Sequence, residues 1–174
     1  MKFLMILTIA VALAVPVVCV QDNQDSAAPS SAAQLKPLPA LKLQDFNGKP
    51  VAADHFKGSI VVLDFWATWC VPCIAEIPTL NRLQQKYGEK GVKVVGVALQ
   101  SGEANEVKPF VGSKGMKYTI LIGDDDQIYD LNVFAFPTTY LITRDLKVFR
   151  MYLGAGPKKA AEIEADIQTL LGTS

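Results

Sequence analysis

An α/β fold, a central mixed β-sheet flanked by helices, is what this chain of 174 residues predicts. Three observations predict it. Ile60 to Trp66 is a nearly unbroken apolar run, as expected of a strand covered on both faces. Directly after it, Ile74, Ile77, Leu80, Leu83 and Tyr87 recur at three- and four-residue spacing, which predicts a helix over 71–87. Further strands and helices alternate toward the C-terminus, the pattern of helices packed on a sheet. Half of the residues are apolar, enough for one substantial core.

The elements follow in order. Phe3 to Val20 carries no charge and follows Lys2, the make-up of a secretion signal. Its length is also the lower edge of a bilayer span, so residues 1–20 are read as a signal peptide or membrane anchor. Val17 and Cys19 are small enough for the cleavage positions, and Pro16-Val17-Val18 makes a weak lipobox before Cys19. Cleavage, lipidation and retention all place the remainder outside the cytoplasm. Residues 21–37 (QDNQDSAAPSSAAQLKP) are small, polar and proline-punctuated, which predicts a flexible linker.

The folded domain is expected over 38–174. Leu41 and Leu43 alternate with polar residues before Asn47-Gly48 and Pro50-Val51, which predicts an N-terminal β-hairpin. Pro78 lies inside the predicted helix and is expected to kink it. Val92 to Leu99 reads as a second buried strand, 103–114 as a short helix and 118–122 as another strand. Asp124 to Asp126 is expected to cap a helical turn in solvent, not to bind a metal. Thr138 to Thr143 and Leu146 to Leu153 read as an antiparallel pair around Arg144-Asp145. Gly154-Ala155-Gly156 is too short for a dinucleotide loop and reads as a turn. The last helix opens at Pro157, a favoured first-turn position, with Ile163, Ile167, Leu170 and Leu171 on one face.

Composition excludes several functions. Lysine plus arginine equals aspartate plus glutamate, 17 each, so no global field attracts nucleic acid. Of three cysteines, Cys19 lies in the N-terminal run, leaving Cys70 and Cys73 in the domain. One pair makes no structural disulfide framework. It also supplies only two of the four ligands of a structural zinc site, and the single histidine, His55, cannot complete it.

Trp69-Cys70-Val71-Pro72-Cys73 stands where the buried strand ends and the helix begins. Two cysteines on a first helical turn can close a disulfide with little backbone movement. The unpaired N–H groups and positive dipole end there favour a thiolate. A Cys70 thiolate can attack a substrate disulfide and Cys73 can resolve the mixed disulfide, so the disulfide itself is the redox group and no further cofactor is needed. Pro72 limits backbone freedom between the sulfurs. Asp64, within the apolar strand, is expected to have a raised pKa because burial disfavours its charge. Glu76 lies one helical turn after Cys73 on the same face.

With these features, VVLDFWATWCVPCIAEIPTL resembles the active-site segment of the thioredoxin superfamily, and within it the TlpA/ResA-like extracytoplasmic thiol–disulfide oxidoreductases. The resemblance runs from about Leu38 to the C-terminus. It implies a thioredoxin-like fold with a central strand–helix insertion over 100–127. It implies that Cys70 is the more exposed, attacking sulfur, and that Asp64 lies beneath the disulfide as proton acceptor for Cys73. The group often has asparagine there, so Asp64 is a departure toward thioredoxin proper. It implies that Glu76 lines a small cavity near the thiols and that Pro137 is a cis-proline facing the pair. The backbone of Phe136 would then pair with a substrate strand, and Trp69 would offer an apolar contact beside the nucleophile.

The implied activity is reduction of protein disulfides, with recharging by a membrane dithiol electron donor. The implied clients are apocytochrome c or copper-site assembly proteins. Two other readings use the same pair: a thiol oxidase or disulfide isomerase of opposite poise, and a metallochaperone holding Cu(I) between the thiolates. Peroxiredoxin chemistry is disfavoured, because Leu63 stands where that loop requires proline.

Overall fold

A computed structural model describes residues 35–173. The apolar run at 3–20 and the polar stretch up to 34 lie outside the described residues. Seven strands form one mixed sheet: β1 (Leu43–Gln44), β2 (Pro50–Val51), β3 (Ile60–Trp66), β4 (Val92–Ala98), β5 (Thr119–Gly123), β6 (Thr138–Ile142) and β7 (Val148–Leu153). Their spatial order is β2-β1-β5-β4-β3-β6-β7. β3 runs parallel to β4 and antiparallel to β6, and β4 runs parallel to β5. The hairpin expected at the N-terminus is β1–β2, which joins the sheet through β5. Three helices complete the fold: α1 (Val71–Tyr87), α2 (Ala104–Ser113) and α3 (Pro157–Gly172). The segment 100–127 thus supplies α2 and β5, where an inserted strand–helix unit was expected.

Strand parity divides β3 between two cores. Val61, Leu63 and Phe65 pack with Val95, Val97, Tyr140 and Ile142 on one face. Ile60 and Val62 pack on the other face beneath Leu80 and Leu83 of α1 and Ile163 and Ile167 of α3. Asp64 belongs by parity to this helix-covered face. Its strand neighbours are Gly96 on β4 and Thr139 on β6.

Helix α1 has the bounds its periodicity predicts, and Pro78 does not divide it. Pro78 stands on the exposed side, clear of the packed stripe of Ile77, Leu80, Leu83 and Tyr87. Ordered pairing begins before Leu38: the Val148 N–H donates to the Lys36 carbonyl and the Leu38 N–H to the Leu146 carbonyl, both at 2.9 Å. The last residues of the expected linker are therefore already fastened beside β7.

Two acidic residues dock α3. The Glu164 carboxylate accepts from Arg82 (2.9 Å), Lys86 (2.5 Å) and the Tyr87 hydroxyl (2.9 Å), all on α1. Arg82 and then Lys86 hold its pKa down to about 2. Asp166 accepts from the Tyr152 hydroxyl at 2.5 Å and pairs with Arg150 at 2.9 Å, both on β7. These contacts fix the middle of α3 against the C-terminal half of α1 and against β7. Among the described residues, no helix is long and apolar enough to cross a membrane.

Candidate active site

The site starts from how the chain leaves β3. After Trp66 it turns through Ala67-Thr68-Trp69, and the Cys70 N–H returns to the Ala67 carbonyl at 3.1 Å. Cys70 is the N-cap of α1, with Val71 and Pro72 in the first turn, where proline's missing N–H costs nothing. The Cys70 Sγ performs the capping role of a serine oxygen: the Cys73 N–H donates to it at 3.2 Å. The two sulfurs are joined as a disulfide across a Cα–Cα distance of 5.3 Å.

As whole residues Cys70 and Cys73 are each 4% exposed, in one cluster with Trp66, Ala98, Ile120 and the partly buried Phe136. What separates them is helical position: Cys70 is the cap atom at the positive dipole end, and Cys73 lies one turn inside.

Around this pair the loops are braced by polar contacts. The Trp69 indole N–H donates to the Gln100 carbonyl (2.9 Å), and the Thr68 N–H to the Ser101 hydroxyl (2.9 Å). Gln100 is held in turn by Asp125, whose carboxylate accepts its N–H at 2.6 Å. Asp124 caps the short turn Asp125–Gln127 and pairs with Lys42, as a solvated acidic turn should. His55 is exposed, and its ring meets the Phe56 ring edge-on at 5.2 Å.

The peptide bond between Phe136 and Pro137 is cis. Across 67 residues of sequence, the Phe136 ring meets Trp69 edge-on at 5.7 Å between centroids, so the proline loop and the cysteine turn adjoin. The Pro137 carbonyl accepts from Gly154 at 2.9 Å, which ties this loop to the Gly154-Ala155-Gly156 turn. Trp69 is 61% exposed, while Trp66 is core at 2%.

Two carboxyls, Asp64 of β3 and Glu76 of α1, are buried. Asp64 is 2% and Glu76 3% exposed. Asp64 Oδ1 accepts from the Thr139 hydroxyl at 2.6 Å. Burial pushes Asp64 up to about 7; Lys159 and the Thr139 hydroxyl oppose this, and the neighbouring Glu76 charge reinforces it. Burial also raises Glu76, against the pull of Lys159. Glu76 lines a groove of about 420 Å³ with Pro72, Ala75 and Thr79 on one side and Ala155, Gly156 and Pro157 on the other. Gly156 turns that wall at a φ of 133°, a conformation L side chains rarely adopt.

Lys159 was missed by sequence reasoning. It is 6% exposed, and its ammonium lies 2.9 Å from Glu76 Oε2 and 3.9 Å from Asp64 Oδ1. The signal was present, since Lys159 precedes Ile163 by four residues and so falls on the apolar stripe of α3. Opposite Asp64, Gly96 leaves room that a Cβ would fill, within 3.1 Å of Ile120, Trp66 and Tyr118. The Tyr118 hydroxyl is pushed well up by burial, with Asp64 and Glu76 adding to it. Among the described residues, no three metal-ligating side chains converge.

Comparison with known proteins matches this architecture. The Redoxin family pattern matches residues 33–168. Thiol-disulfide oxidoreductase ResA of Bacillus thuringiensis is 37% identical over 129 residues, 73% of each chain. Thioredoxin-like protein YneN of Bacillus subtilis is 34% identical over 131 residues, 74% of this chain and 76% of its own. A crystal structure from Chlorobium tepidum, assigned as thiol:disulfide interchange protein DsbE, superposes with a TM-score of 0.72 at 31% identity, covering 79% of this chain and 96% of that one. The linked cysteine pair, the sheet that carries it and these likenesses agree: the chain belongs to the Redoxin family, as a ResA-like thiol–disulfide oxidoreductase of the thioredoxin superfamily.

Proposed function

We propose that the protein is a reductase of protein disulfides, with Cys70 as nucleophile and Cys73 as resolving thiol. In the reduced enzyme the Cys70 thiolate attacks one sulfur of a client disulfide. The client S–S bond breaks, a mixed disulfide forms, and one client thiolate leaves. Asp64 accepts the proton of the Cys73 thiol, and the Cys73 thiolate attacks Cys70 Sγ. The enzyme disulfide closes, the second client thiolate leaves, and one client sulfur takes the proton released from Cys73 while the other takes one from solvent, which replaces the proton Cys70 had lost. Two electrons have moved from enzyme to client. Return to the dithiol state requires an external dithiol donor, which we place in the membrane.

The observation that carries the direction is the buried acidic pair. Asp64 and Glu76 share one ammonium, so the fully ionised cluster is anionic beside the helix start. Negative charge near a sulfur disfavours its thiolate. Strong oxidants of this type gain their poise by stabilising the reduced form, and an anionic neighbour does the reverse. Equilibration with glutathione tests this. The expected potential lies below about −230 mV, whereas one above about −200 mV, in the range of isomerases and oxidants, overturns the reductase reading.

Similarity to ResA supports an extracytoplasmic setting, with residues 1–20 as signal peptide or anchor. The clients are proteins whose metal-site cysteines must stay reduced there, apocytochrome c or copper-site assembly proteins. The rim suits such unfolded clients, since Trp69 and Val71, on either side of Cys70, expose large apolar side chains. Trp69→Ala combined with Val71→Ala is expected to raise KM for a protein disulfide about tenfold, equivalent to about 1.4 kcal/mol of lost contact. Reduction of a small aromatic disulfide should change less than about twofold. Equal losses on both substrates would show that the two side chains support the site and not the client.

A further inference from the structure

Asp64 on β3 and Glu76 on α1 come from different parts of the sequence, yet one cation from a third element joins them. Lys159 donates to Glu76 at hydrogen-bond distance and stands a full ångström farther from Asp64. We propose that Lys159 is a positioning residue for disulfide exchange: its ammonium holds Glu76 as the anion of the buried pair and leaves Asp64 as the carboxyl that exchanges a proton with Cys73. This rests on the reading of Asp64 as proton acceptor given above.

Charge and placement carry the inference. A charge-assisted hydrogen bond in a buried site strongly favours the ionised partner, and Glu76 Oε2 has it. Asp64 has a neutral hydroxyl donor, Thr139, and no ammonium within hydrogen-bond reach. Two like charges in one buried site resist joint ionisation, so one carboxyl keeps a proton to higher pH than the other. The asymmetric ammonium selects Asp64 for that part.

From β4 comes Gly96, without a side chain; from the start of β5 the hydroxyl of Tyr118; from β6 Thr139. Arg150 and Tyr152 of β7 are engaged by Asp166 farther along α3, and Lys158 and Glu162 face each other at 4.0 Å on its surface. Lys159 is thus the cation that the carboxyl pair faces. It is also anchored: α3 is fastened to α1 through Glu164, so the ammonium is fixed relative to the groove behind Pro72.

The test is the pH dependence of mixed-disulfide resolution, followed in single turnovers for wild type, Lys159→Met and Asp64→Asn. Lys159→Met should move the inflection upward by about one pH unit or more, an approximately tenfold slower resolution at pH 7 that disappears by about pH 9. A uniform slowing with the inflection in place would assign Lys159 a structural role and overturn the proposal. Asp64→Asn separates the two levels. If it abolishes the inflection while Lys159→Met leaves it in place, the Lys159 inference alone fails. If Asp64→Asn preserves the inflection, the proton-acceptor reading fails first. Should Lys159→Met not fold, carboxyl ¹³C titration of the reduced wild-type protein decides: Asp64 must take up its proton before Glu76 as pH falls, and the opposite order overturns the assignment.

Discussion

Cys73→Ser leaves the protein covalently attached to its client, and multiple turnover falls by about a thousandfold or more. The helix start explains why attachment is through Cys70. Its sulfur occupies the N-cap and receives the Cys73 N–H at 3.2 Å, so a negative charge there meets a donor and the positive dipole end. Serine at 73 keeps that N–H, so the cap and the attacking thiolate survive. What is lost is the second nucleophile, and the mixed disulfide has no internal exit. A non-reducing gel should show most of the variant shifted by the mass of a client, with the shift reversed by dithiothreitol. Cys70→Ser should show no such species, although its hydroxyl can replace the capping sulfur. Trapping through Cys73 in the Cys70→Ser protein would exchange the two roles. Because both cysteines are equally buried in the disulfide state, this experiment tests helical position, not exposure, as the cause of reactivity.

The parts of this site that are local in sequence were legible, and those made by long-range packing were only partly so. β3, α1 and the cysteine pair follow from an apolar run, a helical period and a proline tolerated in the first turn, all contained in 60–87. Glu76 could be placed one turn from Cys73, but periodicity alone did not say that this turn faces inward. Its burial depends on α3 packing across it. The cis bond at Pro137 could not be read from spacing, since most bonds preceding proline are trans. It followed only from the family resemblance. The position of Lys159 on the apolar stripe could be read, but its role could not. A lysine on an apolar helical stripe reads as a long side chain reaching past the core to water. Only the meeting of three elements shows two buried carboxyls waiting beneath it. Redox direction is less legible still, because one or two hydrogen bonds at sulfur outweigh what the Val71-Pro72 dipeptide says about it.

Asp64→Asn should make the oxidised protein more stable and the enzyme slower, a pairing that follows from the sign of one ionisation. The folded state pushes Asp64 from 3.8 up to about 7. A carboxyl whose folded pKa is raised binds its proton more tightly in the folded state than in the unfolded chain. Its contribution is therefore most favourable below the unfolded value and is lost as pH rises toward the folded value. At about 1.4 kcal/mol per pH unit, this window costs wild type about 4 kcal/mol by pH 8. Asparagine cannot ionise, keeps an oxygen for the Thr139 hydroxyl and leaves Lys159 paired with Glu76. Urea unfolding should accordingly show the variant about 2–4 kcal/mol more stable than wild type at pH 8, with the difference vanishing near pH 4. For a domain of this size that gain corresponds to about 5–10 °C in Tm. Parallel stability–pH curves for the two proteins would mean that Asp64 titrates alike in the folded and unfolded chains and is not the buried proton acceptor. A carboxyl retained at such a cost in the most apolar strand of the fold is explained by what it does for Cys73, since packing gains nothing from its charge.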